Sequence, residues 1–221
     1  VSYSDVTASG SCPQEYTITS RWIAEDACQN RDTCYQIITV QDTMRPVLTC
    51  AANVIIDCTA STLPANTGTS TATDSCDPAP VVSWSDVTAS GSCLQEYTIT
   101  RRWIAEDACQ NRDTCYQTIT VQDTMRPVLA CAANVIIDCT ASTLPANTGT
   151  STATDSCDPA PAVSYSDVTA SGSCPQEYTI TRRWIAEDAC QNRDTCYQII
   201  TVQDTMRPVL ACAANVIIDC T

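Results

Sequence analysis

Cysteine is the residue whose number and spacing demand chemistry: the chain has 17 in 221 residues, with no histidine. Cys50, Cys58, Cys76, Cys93, Cys109 and Cys115 reappear 81 residues on as Cys131, Cys139, Cys157, Cys174, Cys190 and Cys196. Thiols can hold zinc, attack a substrate or pair with one another. Structural zinc wants paired CxxC knuckles or histidines, whereas the shortest spacing here is Cys109 to Cys115. A reactive thiolate wants a histidine or basic neighbour, and no cysteine has one in sequence. Pairing is left, which means a disulfide framework and an oxidising compartment outside the cytoplasm.

The other chemistry-bearing groups are carboxylates. Asp74 and Asp77, Glu106, Asp107 and Asp113, and Asp123 fall in segments that read as loops. Oxygen-rich loops of this kind suit calcium, with Asp74, Asp77, Asp107, Asp113 and Asp123 as its candidate ligands. The same aspartates equally serve as turn residues that cap their own backbone. No cofactor is required by any motif. An acid–base pair repeated every 81 residues with no marked cleft is a poor enzyme, so no catalytic residues are expected. The net charge of −14, with eleven arginines and no lysine, excludes a basic surface for nucleic acid or anionic membrane. No apolar run approaches the roughly 20 residues that span a bilayer, and a secretion signal would lie upstream of Val1. Without lysine, isopeptide cross-links cannot form. The Thr/Ser/Pro-rich segment from Thr59 to Asp74 suits O-glycans or an exposed β-edge, and there is no N-x-S/T sequon. Trp103, beside Arg101 and Arg102, is either a carbohydrate platform or, more commonly for such a Trp, a core aromatic.

What positions these groups is a repeat. Residues 46–126 and 127–207 differ at only five places: Thr49/Ala130, Val81/Ala162, Trp84/Tyr165, Leu94/Pro175 and Thr118/Ile199. Residues 1–45 read as the later part of a repeat and 208–221 as the first strand of another. A unit this small builds only a marginal core and needs staples. In the first full unit, Val47–Cys50 and Asn53–Cys58 read as one strand in two pieces, then a Pro/Gly/Thr loop and a polar strand over Gly68–Asp74. Alternation then puts Val82 and Trp84 on one face, and Tyr97, Ile99, Trp103 and Ala105 on one face of the next strand. Arg101 falls on that apolar face but is Ser20 in the first copy, which predicts a bulge or an edge. Thr114–Gln122 forms the last strand, with Cys115, Ile119 and Val121 inward. Short strands between Gly, Pro and Asp turns, with no helical period, predict an all-β fold of tandem immunoglobulin-like sandwiches.

TATDSCDPAP, YTITRRWIAEDACQN and TCYQTITVQDTMRPVLAC together resemble the hyalin repeat, an immunoglobulin-like module found in tandem in extracellular and cell-surface proteins. The resemblance runs over nearly the whole of each unit, including Asn111 in the turn and Asp123, Thr124 and Pro127 at the boundary. Gln110 stands where that family usually has glycine, Gln117 where a large apolar residue is common, and Arg126 where a second proline is frequent. The resemblance implies adhesion or extracellular structure.

Six cysteines allow 15 pairings, and the sequence alone selects none. An up-and-down sandwich would bring Cys50 to Cys115, a pair the resemblance also implies, Cys76 to Cys109, and Cys58 to Cys93. Translation gives Cys131–Cys196, Cys157–Cys190 and Cys139–Cys174. Cys12, Cys28, Cys34, Cys212 and Cys220 are then candidates for links to a neighbouring copy. The functional expectation is a structural stretch of an extracellular filament or stalk made of head-to-tail copies. The alternative is an adhesin array binding glycan or protein, which would spare a fixed exposed patch; the five differences spare none.

Overall fold

The computed structural model describes residues 1–218 and falls into two compact units, Val1–Asp123 and Thr124–Thr221. The fold is all-β, immunoglobulin-like and disulfide-stapled. The first unit opens with an antiparallel meander of β1 (Ser2–Ser9), β2 (Tyr16–Glu25) and β3 (Arg31–Val40). A sandwich follows. The first strand is split, as its sequence suggests: β4 (Val47–Thr49) and β5 (Val54–Asp57) belong to different sheets. Next come a single helical turn, α1 (Pro64–Thr67), and β6 (Thr71–Thr73), which pairs with β4. β7 (Val81–Ser90), β8 (Tyr97–Glu106) and β9 (Arg112–Gln122) complete a four-stranded sheet in the order β5-β9-β8-β7, with β5 parallel to β9.

The second unit repeats this plan. β10 (Val128–Ala130) pairs with β12 (Thr152–Thr154), and the order β11-β15-β14-β13 is built from Val135–Asp138, Arg193–Gln203, Tyr178–Glu187 and Ala162–Ser171. Its helical turn, α2, is Pro145–Thr148. Ile180, Ile200 and Val202 form its core, covered by Val135, Ile137 and Tyr178.

The helical turns lie where the sequence reads as loop. Proline supplies the fixed φ that a first helical position tolerates, and Gly68 closes the turn at φ 97°, where a Cβ would be strained. The polar strand is shorter than the sequence suggests, covering only Thr71–Thr73.

Arg101 departs from expectation more sharply. There is neither bulge nor edge: β7 and β8 pair without interruption, with Asp86 opposite Arg101, and the arginine is fully buried. Its Nε and Nη2 donate to the two oxygens of Asp86 at 2.8 and 2.9 Å, Nη1 to Thr67 Oγ1 at 2.9 Å, and Nη2 to the Thr62 carbonyl at 2.7 Å. The guanidinium lies 4.4 Å from the Trp84 ring centroid. Bidentate pairing, two further acceptors and an aromatic face offset the desolvation that makes a buried charge costly. Arg182 repeats the arrangement with Asp167, Thr148, Thr143 and Tyr165. Trp103, 3% exposed, is therefore a core aromatic.

Gln117 is a second polar core residue. Its Nε2 donates to the carbonyls of Ala52 and Thr67 at 2.8 and 2.7 Å, and its Oε1 accepts from Trp103 Nε1 at 3.3 Å. An apolar residue would leave those two carbonyls unpaired. Among the described residues, no helix is long and apolar enough to cross a membrane.

Candidate functional site

Within the first unit two successive repeats meet, and the turns that meet are specified locally. The β1–β2 turn closes through Gly10 N donating to Glu15 O at 2.7 Å and Glu15 N to Cys12 O at 3.0 Å. A Cβ on Gly10 would sit 2.5 Å from Glu15 Cβ and 2.8 Å from Glu15 backbone atoms, so only glycine fits. This turn presents Cys12. The β8–β9 turn is organised by buried Asp107: Oδ1 accepts Cys109 N at 2.9 Å and Asn111 N at 2.8 Å, and Oδ2 accepts Asn111 Nδ2 at 2.8 Å. Gln110 adopts φ 70° there, as Gln29 and Gln191 do at 67° and 70° in their own turns. A left-handed turn is what this position requires, with or without glycine.

Cys12 and Cys109 are joined, with Cα atoms 5.2 Å apart and 97 residues between them in sequence. Cys12 belongs to the earlier repeat and Cys109 to the later. Asn111 Nδ2 adds a hydrogen bond to the carbonyl of Asp42, in the earlier repeat's exit segment, at 3.1 Å.

This corrects the expected Cys76–Cys109 pair: Cys76 is an exposed free thiol. Cys139 and Cys174, expected to pair, are free too, while Cys58, Cys93, Cys157 and Cys190 are each disulfide-bonded. The physical reason is visible at Cys12, the counterpart of Cys93 and Cys174. Its turn reaches forward to the next repeat's β-turn instead of back across its own sandwich. Pairing each repeat as a closed body could not anticipate that. The staple within each sandwich is Cys50–Cys115 in one and Cys131–Cys196 in the other, both with Cα atoms 6.0 Å apart. Cys28, Cys34 and Cys212 are exposed free thiols, and Cys12 is not open. Cys220 lies outside the described residues.

The aspartates disperse. Asp77 accepts Ala79 N and Ala108 N, one on each oxygen, both at 2.9 Å. Asp113 accepts Thr114 N at 2.9 Å and Leu48 N at 3.2 Å, and Asp107 is filled as described. Asp123 is buried at the end of the first unit. Asp74 combines a capping oxygen with one that meets no donor: Oδ1 accepts Cys76 N at 2.7 Å and Asp77 N at 3.0 Å, while Oδ2 is buried without a hydrogen bond. Those backbone N–H groups of Asp77 and Cys76 hold the Asp74 carboxyl below its usual range. Partial desolvation, then the charge of Asp42 and a side-chain hydrogen bond with it, then the charges of Asp74 and Asp107, push the Cys76 thiol up.

Neither a family model nor a curated protein matches this chain. Similar solved structures are cadherin ectodomains. Mouse protocadherin-24 EC1-3 is 14% identical with a TM-score of 0.35, over 87% of this chain and 80% of that one. The protocadherin gammaB7 EC3-6 cis-dimer structure is 16% identical at 0.33, over 91% and 66%. Drosophila N-cadherin EC1-4 is 9% identical at 0.38, over 86% and 58%. At these scores the likeness carries no argument about function.

Proposed function

We propose that this chain is a structural stretch of an extracellular filament or stalk, built from hyalin-like immunoglobulin modules of 81 residues laid head to tail at 46–126 and 127–207. One observation carries the reading: Cys12–Cys109 joins consecutive repeats covalently. A module meant only to display a binding loop needs no such link, whereas an array that bears load needs each joint to hold. Near-identical repeats make every joint alike, the condition for a quasi-one-dimensional rod. The disulfides support an oxidising compartment.

Self-association is the partner the surface favours. Among the described residues β3 has no neighbour equivalent to β5, and Ile38 is 40% exposed where its counterpart Ile119 is 0% exposed. By the register Val54↔Ile119, the segment beginning at Val216 in another copy, or the corresponding strand of an adjoining repeat, would pair with β3 from Ile38, and Cys212 would meet Cys34. Electron microscopy of the native material tests this. The expected result is a filament with an axial repeat of roughly 35 to 45 Å, from strands of about ten residues at roughly 3.3 Å each. Discrete particles with no axial repeat would overturn it.

A further inference from the structure

The joint holds a pair of carboxylates that the protein itself leaves uncompensated. Asp42 lies in the segment leaving β3 and belongs to the earlier repeat. Asp74 follows β6 in the later one. A carboxylate oxygen of each and the sulfur of Cys76 lie within 4.8 Å of one another. Asp42 is 5% exposed; its Oδ1 accepts Met44 N at 3.1 Å, and its Oδ2 is buried with no hydrogen-bond partner. Asp74 Oδ2 is in the same state. In the first unit the arginine–carboxylate pairs are Arg31–Glu25, Arg101–Asp86 and Arg112–Glu106, so among the described residues no arginine neutralises either aspartate.

Two carboxylate oxygens covered from water at this separation, with no donor on either, are the arrangement that a bound cation satisfies. Cys76 is a free thiol whose counterpart Cys157 is disulfide-bonded, so sulfur is not the recurring ligand. The two carboxylates recur in the sequence, Asp42 as Asp123 and Asp74 as Asp155, and Asp155 Oδ2 is likewise buried without a hydrogen bond. We propose that Asp42 and Asp74 bind a hard divalent cation of the calcium class across the joint between repeats, with water completing its shell. Of the ligands expected from sequence this keeps Asp74 and adds Asp42, the counterpart of Asp123, whereas Asp77, Asp107 and Asp113 have their oxygens occupied by N–H donors. It does not rest on the filament reading.

The oxidised chain is melted in chelator, in calcium and in magnesium, and bound calcium is counted by equilibrium dialysis, for the wild type and for D42N and D74N. Calcium at about a hundredfold its dissociation constant should raise Tm by roughly 5 to 10 °C. Each variant should lose one equivalent of calcium. In chelator D42N should melt no lower than wild type, because the substitution removes the repulsion. Magnesium acting as calcium does would still support a hard-cation site. Equal Tm in chelator and calcium with no calcium retained, or a Tm that answers to pH but to no divalent ion, would overturn the proposal; the wild-type arms decide this even where a variant misfolds.

Discussion

The meander β1–β3 and the sheet β7–β9 are nearly one sequence in two surroundings. Their registers agree pair for pair: Tyr3↔Trp22 and Trp22↔Cys34 in one, Trp84↔Trp103 and Trp103↔Cys115 in the other. Their interiors do not. Trp22 is 37% exposed and Trp103 3%, and Cys34 is a free thiol where Cys115 is bonded to Cys50. Strand pairing and turns are thus set locally, by alternation and by turns such as the one Asp26 closes on Asn30 in the first copy and Asp107 on Asn111 in the second. The core comes from the split first strand, the helical turn and β6, which the meander lacks. One substitution marks the divide. Ser20 stands where Arg101 is: Tyr3 and Trp22 stack at 4.9 Å and 30°, whereas Arg101 lies against both Trp84 and Trp103, and beside Arg182 the Tyr165 and Trp184 rings are tilted at 51° and 5.2 Å apart.

Arg101→Ser breaks this comparison most severely, because it gives the complete repeat the meander's residue. Asp86, Thr67 and the Thr62 carbonyl all lose their partner, and the first sandwich should lose about 3 kcal/mol, read as a lower urea midpoint with Cys50–Cys115 intact. The meander has no such network to lose, so Ser20→Arg should change stability far less. A smaller effect of opposite sign comes from the turn both regions share. Gln110→Gly relieves a left-handed residue and should stabilise by about 1 kcal/mol, seen as a slower unfolding rate or a higher midpoint.

The same contrast shows what was legible. The period, the split first strand, the alternation of Ile99, Trp103 and Ala105, and the link of Cys50 to Cys115 follow from patterns confined to one repeat. Arg101 and Gln117 were harder. Their acceptors, Thr62, Thr67 and Ala52, lie in loops far away in sequence, and a polar residue on an apolar face announces no such partner. The helical turn at Pro64 was hidden by its length. Cys12–Cys109 and the Asp42–Asp74 pair were invisible for another reason: each is made by two repeats, and a repeat read alone has only half of it.

The covalent joint is the central claim, and peptide mapping of the non-reduced protein tests it most directly. Proteolysis should release one cross-linked species containing the segment around Cys12 and the segment around Cys109, which separates on reduction. Recovery of Cys109 linked to Cys76 instead, with Cys12 free, would mean that each repeat is closed on itself and that the joint is not stapled.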